Sequence, residues 1–335
     1  MFRGFLKNIL FIVLLLFVSP IFATENIPTW VYDKNSVYPS TEYISAIGSG
    51  KSKKLAKENA ISEISRYLKT EIKTTVQAVT KADSYNGKTN YSQKLEENVT
   101  ISSSATLSGL EYTNPYYSKK EKTWYCVAYI NREEAWNQYL PKIESVKSAF
   151  YSFYDKAIAE NEPVFKLKFY KLAEEPAENL LASLDYARLL QPKNSELYAT
   201  ERKTVTELPS LIESEKIKCT AFLDIKGDYG NIFASAISKI LIETSFIISD
   251  DKNKSNYIAS IDIENNTMGE NPLSITPSLN FKLYGKYKAI YSLSDRLENK
   301  TVAYELKKAQ KKSYPELADK FCEKLSADLA EILRK

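Results

Sequence analysis

The sequence predicts an α+β protein in which two small sheet-plus-helix domains are joined by a helical middle region. Three observations lead there. Residues 43–47 and 123–130 are short apolar or aromatic runs of strand character around one long helical pattern. Residues 131–216 keep helical spacing throughout. Residues 217–335 return to alternating runs and close on an amphipathic segment. Such runs of strands and of helices, without regular alternation, favour α+β over a doubly wound sheet.

The chain of 335 residues starts with Arg3 and Lys7, continues through the apolar run Ile9 to Val18, and reaches Ser19-Pro20 ahead of Ile21-Phe22-Ala23. A basic start, a short apolar core and a small residue form the pattern of a secretory signal peptide, and a span would need roughly 20 apolar residues. Cleavage is expected after Ala23, so residues 1–23 are the signal peptide. The exported remainder is about 310 residues, without an integral membrane span and long enough for two or three small domains. The expected divisions are 24–135, an α+β domain; 136–216, a helical spacer; and 217–335, a second α+β domain.

Residues 24–42, with Pro28-Thr29-Trp30 and Tyr38-Pro39-Ser40, read as an extended or turn-rich lead-in, because a residue before proline avoids the helical region. Tyr43 to Ile47 is a strand with Ile44 and Ala46 on one face, broken by Gly48-Ser49-Gly50. Ser52 caps a helix carrying Leu55, Ala60, Ile61, Ile64, Leu68, Ile72 and Val76 at steps of mostly three and four. Residues 81–104, rich in Ser, Thr, Asn and Lys, read as a polar excursion. Thr106 to Tyr112 and Thr123 to Ile130 form a hairpin around Asn114-Pro115 and Lys119 to Lys122, and TWYCVAYI suits a central strand.

The helical run follows, with its last helix capped by Ser195. The stretch DYARLLQPKNSELY resembles the helix pairs of tetratricopeptide-like solenoids, although no 34-residue period is found, and a helical linker is the simpler reading. Beyond it, Ile217 to Ile225 is a strand and Asp228 to Phe246 a helix. Strands follow at Ile247-Ile248, Tyr257 to Ile263, Leu279 to Leu293 and Thr301 to Ala309, in a mainly antiparallel sheet. A final helix from Pro315 presents Leu317, Phe321, Leu325, Leu329 and Ile332.

The chemistry is bounded by an absence: the chain holds no histidine. The usual general base near neutral pH, the Ser-His and Cys-His pairs and the commonest zinc ligand are therefore missing. The three cysteines, Cys126, Cys219 and Cys322, have no metal-ligand spacing and sit in apolar surroundings, where a small buried hydrophobe is the simplest role. In an oxidising compartment, Cys219 and Cys322 are the better pair for a bridge. The net charge of +4 falls to about +2 without Arg3 and Lys7, and no basic block tracks nucleic acid.

The stretch GSGKS is a truncated phosphate loop. The full pattern needs a glycine where Ser45 stands, and a dinucleotide fingerprint needs one where Lys53 stands. The two glycines read better as a sharp corner between strand and helix, with Lys51 in solvent. Asp224, Asp228, Asp250 and Asp251 are the carboxylates that glycoside cleavage would require, but all fall where turns are expected. A calcium site at Asp250-Asp251-Asn253 lacks the spaced oxygens of an EF-hand. Of 24 tyrosines, Tyr116, Tyr117, Tyr151, Tyr154 and Tyr170, with Phe153 and Phe169, suit either an interface or the core of the helical region.

Pro28, Trp30-Val31, Tyr43-Ile44, Ala46-Ile47-Gly48, Gly50, Ala56, Ala60 and Tyr125 to Ile130 together resemble the LPP-twenty family of bacterial envelope lipoproteins, over roughly residues 28–135. Related domains occur in flagellar-ring accessory proteins. The resemblance implies a small α+β domain without known catalytic residues, used as a scaffold or partner-binding module. The first cysteine is Cys126, so the lipidated cysteine of those lipoproteins is missing and lipid anchoring is not supported. The final segment is similar in element order to small modules of other envelope assembly factors, a likeness of topology alone.

The expected function is that of a non-catalytic, exported cell-envelope protein, periplasmic or outer-membrane associated. Its expected partners are envelope proteins, outer-membrane or flagellar-associated, and not nucleic acid. No catalytic, cofactor-binding or metal residue is assigned. The alternative is a carboxylate-dependent hydrolase of cell-wall glycans built on Asp224, Asp228, Asp250 and Asp251.

Overall fold

The computed structural model describes residues 27–82 and 109–334, without the side chains of residues 72, 73, 75–82 and 334. The signal-peptide segment 1–23 and most of the polar excursion lie outside the described residues. The chain is α+β. Of the described residues, 27–67 with 109–134 form one compact unit, and 68–82 with 135–334 form a second.

In the first unit, two short helices open the chain, α1 (Thr29–Tyr32) and α2 (Lys34–Val37). They replace the expected extended lead-in. Proline is tolerated just before a helix, and the Asp33 carboxylate caps α2 by accepting the Asn35 and Ser36 amides at 3.1 and 3.2 Å. Strand β1 (Tyr43–Gly50) follows, then helix α3 (Lys53–Ala82), then β2 (Leu110–Tyr112), β3 (Tyr116–Ser118) and β4 (Thr123–Asn131). All pairing in this sheet is antiparallel: β4 lies between β1 on one side and β2 and β3 on the other.

Gly48 and Gly50 do not break β1 as expected. They continue it, pairing with Cys126 and Trp124 of β4. Their role is close approach: α3 crosses directly over them. The Ser52 hydroxyl accepts the Leu55 amide at 3.2 Å, as the sequence predicts for its cap. Ala56, Ala60, Ile64 and Leu68 are buried along one stripe of α3, while Leu55 is exposed. Cys126, Val127, Ala128 and Ile130 complete the core of the sheet.

The second unit begins with helices α4 (Arg132–Ala159), α5 (Pro163–Leu172), α6 (Glu174–Leu190), α7 (Pro192–Ser195) and α8 (Ala199–Lys218). Aromatic side chains tie them together: Tyr139 meets Tyr186 edge-on at 4.8 Å, and Tyr154 lies 5.8 Å from Tyr170. Ser195 does not cap α8. Its hydroxyl is committed to the Pro192 carbonyl at 2.6 Å, and a 3-10 turn (Glu196–Tyr198) intervenes.

The run is continued by β5 (Thr220–Lys226), α9 (Ile232–Glu243), β6 (Ile247–Ile248), β7 (Tyr257–Met268), β8 (Leu273–Tyr284), β9 (Ala289–Arg296), β10 (Thr301–Ala303) and α10 (Leu306–Arg334). Helix α9 returns the chain in the same direction, so β5 is parallel to both β6 and β7. The ladders of β8 with β7, β9 and β10 are antiparallel. The sheet is therefore mixed.

Three more elements differ from expectation, one of them the strand read over Thr301 to Ala309, which ends at Ala303. Leu279 to Leu293 is not one strand but parts of two, separated by a turn in which the Gly285 amide donates to the Lys288 carbonyl at 2.9 Å. The final helix starts at Leu306, well before Pro315. Its first turns are held by packing of Ala309 against Ile275 and Ala303, so tertiary burial outweighs the break that an interior proline suggests.

The core of this unit lies on one face of the sheet. Tyr257, Ala259, Ile261 and Ile263 of β7 and Leu279, Phe281 and Leu283 of β8 are buried, as are Phe233, Ile237 and Leu241 of α9 and Leu317, Phe321, Leu325 and Leu329 of α10. At about 1.5–3 kcal/mol per large apolar side chain, this burial contributes most of what holds the unit together. The helical run shares this core: the Val164 amide at the start of α5 donates to the buried Tyr257 hydroxyl at 2.9 Å.

Candidate functional site

Three strands and a helix converge at one end of the first unit. Gly50 of β1 pairs with Trp124 of β4, and Trp124 pairs on its other side with Tyr117 of β3. Tyr117 and Trp124 lie 5.1 Å apart, with their rings tilted by 45°. Because Gly50 has no side chain, Leu55 of α3 leans into the space beside it: a Cβ there would lie 2.8 Å from the Leu55 Cβ. The Lys53 ammonium stands 4.9 Å from the Trp124 ring centroid, and Lys57 stands 4.6 Å from that of Tyr112. Cations over aromatic faces at exposed positions are worth about 0.5–1 kcal/mol each.

The result is a small apolar and aromatic patch with a rim of lysine. Leu55 and Tyr117 keep 40% and 38% of their surface, and Trp124 is half-buried. Trp and Tyr at such positions are the residue types that carry binding energy in protein interfaces. The stretch GSGKS forms its corner, with Lys51 exposed. Sequence reasoning found the corner and the aromatic strand but did not bring them together, because cross-strand register was needed to place Tyr117, Trp124 and Gly50 in one row.

On the opposite face of the sheet, Tyr38 stacks on Tyr129 at 4.5 Å, and Tyr43 meets both edge-on. The Tyr129 hydroxyl donates to Glu111 at 2.6 Å, and this bond, with burial, pushes the phenol well above its usual range. The Lys34 ammonium donates to the Ser45 carbonyl at 2.8 Å. These contacts fasten the opening helices to the sheet.

The aromatic residues weighed for an interface or a helical core are divided between the units. Tyr116 and Tyr117 belong to the first; Tyr151, Tyr154 and Tyr170 belong to the second, where the fully buried Phe150 meets Tyr151 and Tyr154, and Tyr154 meets Tyr170.

Of the four carboxylates, Asp228, Asp250 and Asp251 lie outside helices and strands as expected, whereas Asp224 lies within β5, paired with Ser260 of β7. Asp224, Asp228 and Asp251 have local partners. Asp224 pairs with Lys252 at 2.9 Å, which holds its carboxyl below the usual range. Asp228 accepts the Ile232 and Ala234 amides at 3.1 and 2.9 Å and so caps α9. Asp251 accepts the Asn253 amide at 2.9 Å and lies 3.3 Å from the Lys254 ammonium. Among the described residues, no group of three or more His, Cys, Asp or Glu is placed to hold a metal ion. Nor is any helix among them long and apolar enough to cross a membrane.

All three cysteines are free thiols, Cys126 and Cys219 buried and Cys322 partly so, and the bridge weighed as an alternative for Cys219 with Cys322 is not formed. Burial pushes Cys219 up to about 12, with Glu215 adding to it, and Cys322 up to about 11.

Comparison with known proteins adds one family. Residues 28–131, the first unit almost whole, match the model of the LPP20 lipoprotein family. The N-terminal half therefore carries an LPP20-family domain, the resemblance read from its motifs. No curated protein matches the chain. Among solved structures, the chain is similar to the secreted protein HP1454 from the human pathogen Helicobacter pylori. Identity is 12% over 84% of this chain and 97% of that one, with a TM-score of 0.30, a likeness too slight to bear on the fold.

Proposed function

We propose that the chain is an exported, non-catalytic envelope protein whose LPP20-family domain binds another envelope protein through the patch of Leu55, Tyr117 and Trp124. The observation that carries this reading is the patch itself: exposed aromatic and aliphatic side chains on a rigid strand row, within a domain matched by an envelope lipoprotein family. Export is further supported by the signal-like pattern of residues 1–23. The non-catalytic reading draws on the lack of histidine and on the use of Asp224, Asp228 and Asp251 in pairing and capping. The partner class remains that expected from the sequence, an outer-membrane or flagellar-associated protein.

The experiment is site-specific photocrosslinking in living cells of the native host. A photoreactive residue at Tyr117 is expected to capture a discrete envelope protein, whereas the same residue at Tyr229, equally exposed in the second unit, captures none. The mass of the purified protein is expected to begin at Thr24. Equal capture at both positions, or none at Tyr117, would exclude the patch as the interface.

A further inference from the structure

The far end of the second unit carries an apolar and basic groove of about 370 Å³, lined by Pro272, Val302, Ala303, Tyr304, Lys308, Lys311 and Lys312. Its position follows from strand register. Met268 of β7 and Val302 of β10 both pair with Ser274 of β8, so all three side chains lie on the outer face of the sheet. The inner face at the same level holds the buried Ile275, Ala303 and Ala309. Met268, Val302 and Tyr304 are 58%, 55% and 75% exposed. The Lys300 ammonium sits 3.2 Å from the Met268 sulfur.

Around these apolar groups lysine predominates. Lys307, Lys308, Lys311 and Lys312 occupy the first turns of α10, all exposed. That helix has no acidic residue in its first turn. Glu305 answers Lys308 at 2.9 Å, and among the described residues no ion pair reaches Lys307, Lys311 or Lys312. Lysines near a helix N-terminus oppose its macrodipole and repel one another, each at a few tenths of a kcal/mol. An arrangement that costs stability in the free protein is relieved when an anionic surface covers it.

We infer that the groove edge formed by Val302, Tyr304, Lys308, Lys311 and Lys312 docks the second unit onto an anionic phospholipid surface. A membrane is favoured over an acidic peptide by the form of the apolar groups. They are separate protruding side chains, a thioether, a valine and a phenol, ringed by long lysines. Such groups enter the headgroup boundary while the ammonium groups remain among the phosphates. A peptide groove would instead bury its apolar residues in a continuous trough. This inference does not depend on the patch of the first unit.

The test is sedimentation of the exported chain, beginning at Thr24, with vesicles of phosphatidylcholine containing 30% phosphatidylglycerol, or of phosphatidylcholine alone. Anionic vesicles are expected to bind and neutral ones to bind far less, with the difference erased at high salt. The triple variant Lys308→Gln, Lys311→Gln, Lys312→Gln is expected to lose on the order of 100-fold in affinity, since each lysine near such a surface contributes about a factor of five. Tyr304→Ser weakens binding at unchanged salt dependence. A control with three exposed lysines replaced elsewhere, at Lys119, Lys120 and Lys193, binds as the parent does. Circular dichroism verifies that each variant is folded. Unchanged binding by the triple variant, equal loss in the control, or equal binding to neutral vesicles overturns the inference. Capture of a polyglutamate peptide without vesicle binding also overturns it and assigns the groove to an acidic protein.

Discussion

Gly48 and Ala60 bring strand and helix backbones into direct contact: a Cβ built on Gly48 would stand 2.1 Å from the Ala60 nitrogen and 2.2 Å from the Ala56 carbonyl oxygen. Neither obstacle is a side chain that can turn away. Gly48→Ala therefore forces α3 off the sheet, with a cost of about 3 kcal/mol or more in the first unit. Gly50→Ala meets the Leu55 Cβ and Cγ at 2.8 Å and the Ala56 nitrogen at 3.0 Å, a shallower overlap that costs less, about 1–2 kcal/mol. Urea unfolding combined with hydrogen exchange of the β1 and β4 amides separates the two; equal effects would contradict the packing role of Gly48.

Tyr257 is fully buried, and its hydroxyl accepts the Val164 amide at 2.9 Å. Tyr257→Phe removes the acceptor without opening a large cavity, leaving a buried amide orphaned at the start of α5. The expected loss is about 1–3 kcal/mol in the second unit. Thermal unfolding of the two proteins measures it.

The Asp295 side chain is only 8% exposed, and burial raises its carboxyl. Lys324 and Lys320, at 2.6 and 3.0 Å, outweigh burial and leave the carboxyl below its usual range. A carboxyl depressed in the folded state contributes stability that is present above its unfolded pKa and is lost as the pH falls through the folded value. The melting temperature of the parent should therefore fall below about pH 4 more steeply than that of Asp295→Asn. Parallel acid limbs would show that the pair adds nothing.

The thiols should be inert in the folded protein. With Cys322 near 11 and Cys219 near 12, the thiolate fraction at pH 8 is about one in a thousand or less. Alkylation at pH 8 is expected to be slow until denaturant is added, after which all three cysteines react. The intact mass should show three free thiols, and a reducing agent should leave the melting temperature unchanged.

Much of this was legible in the sequence, and the misses have physical causes. The Ser52 cap, the stripe through Ala60, Ile64 and Leu68 and the central strand TWYCVAYI follow from local periodicity and capping chemistry. The start of α10 at Leu306 does not, because Ala309 is held in part by Ile275 of β8, distant in sequence, and Pro315 reads as the start of a helix that tertiary packing begins earlier. The parallel placement of β5 was hidden for a similar reason: only the path of α9 decides it. In the first unit, the row of Tyr117, Trp124 and Gly50 depends on register between strands, which alternation within each strand does not reveal.

The placement of the tryptophans gives the molecule a built-in optical reporter. Of the three, Trp30 and Trp136 are buried, whereas Trp124 is half-open to solvent with a lysine ammonium over its ring. The red side of the emission band therefore belongs chiefly to Trp124. Anything that settles on the Leu55 and Tyr117 patch will dry that indole or displace the cation, changing its colour and quenching without any attached dye.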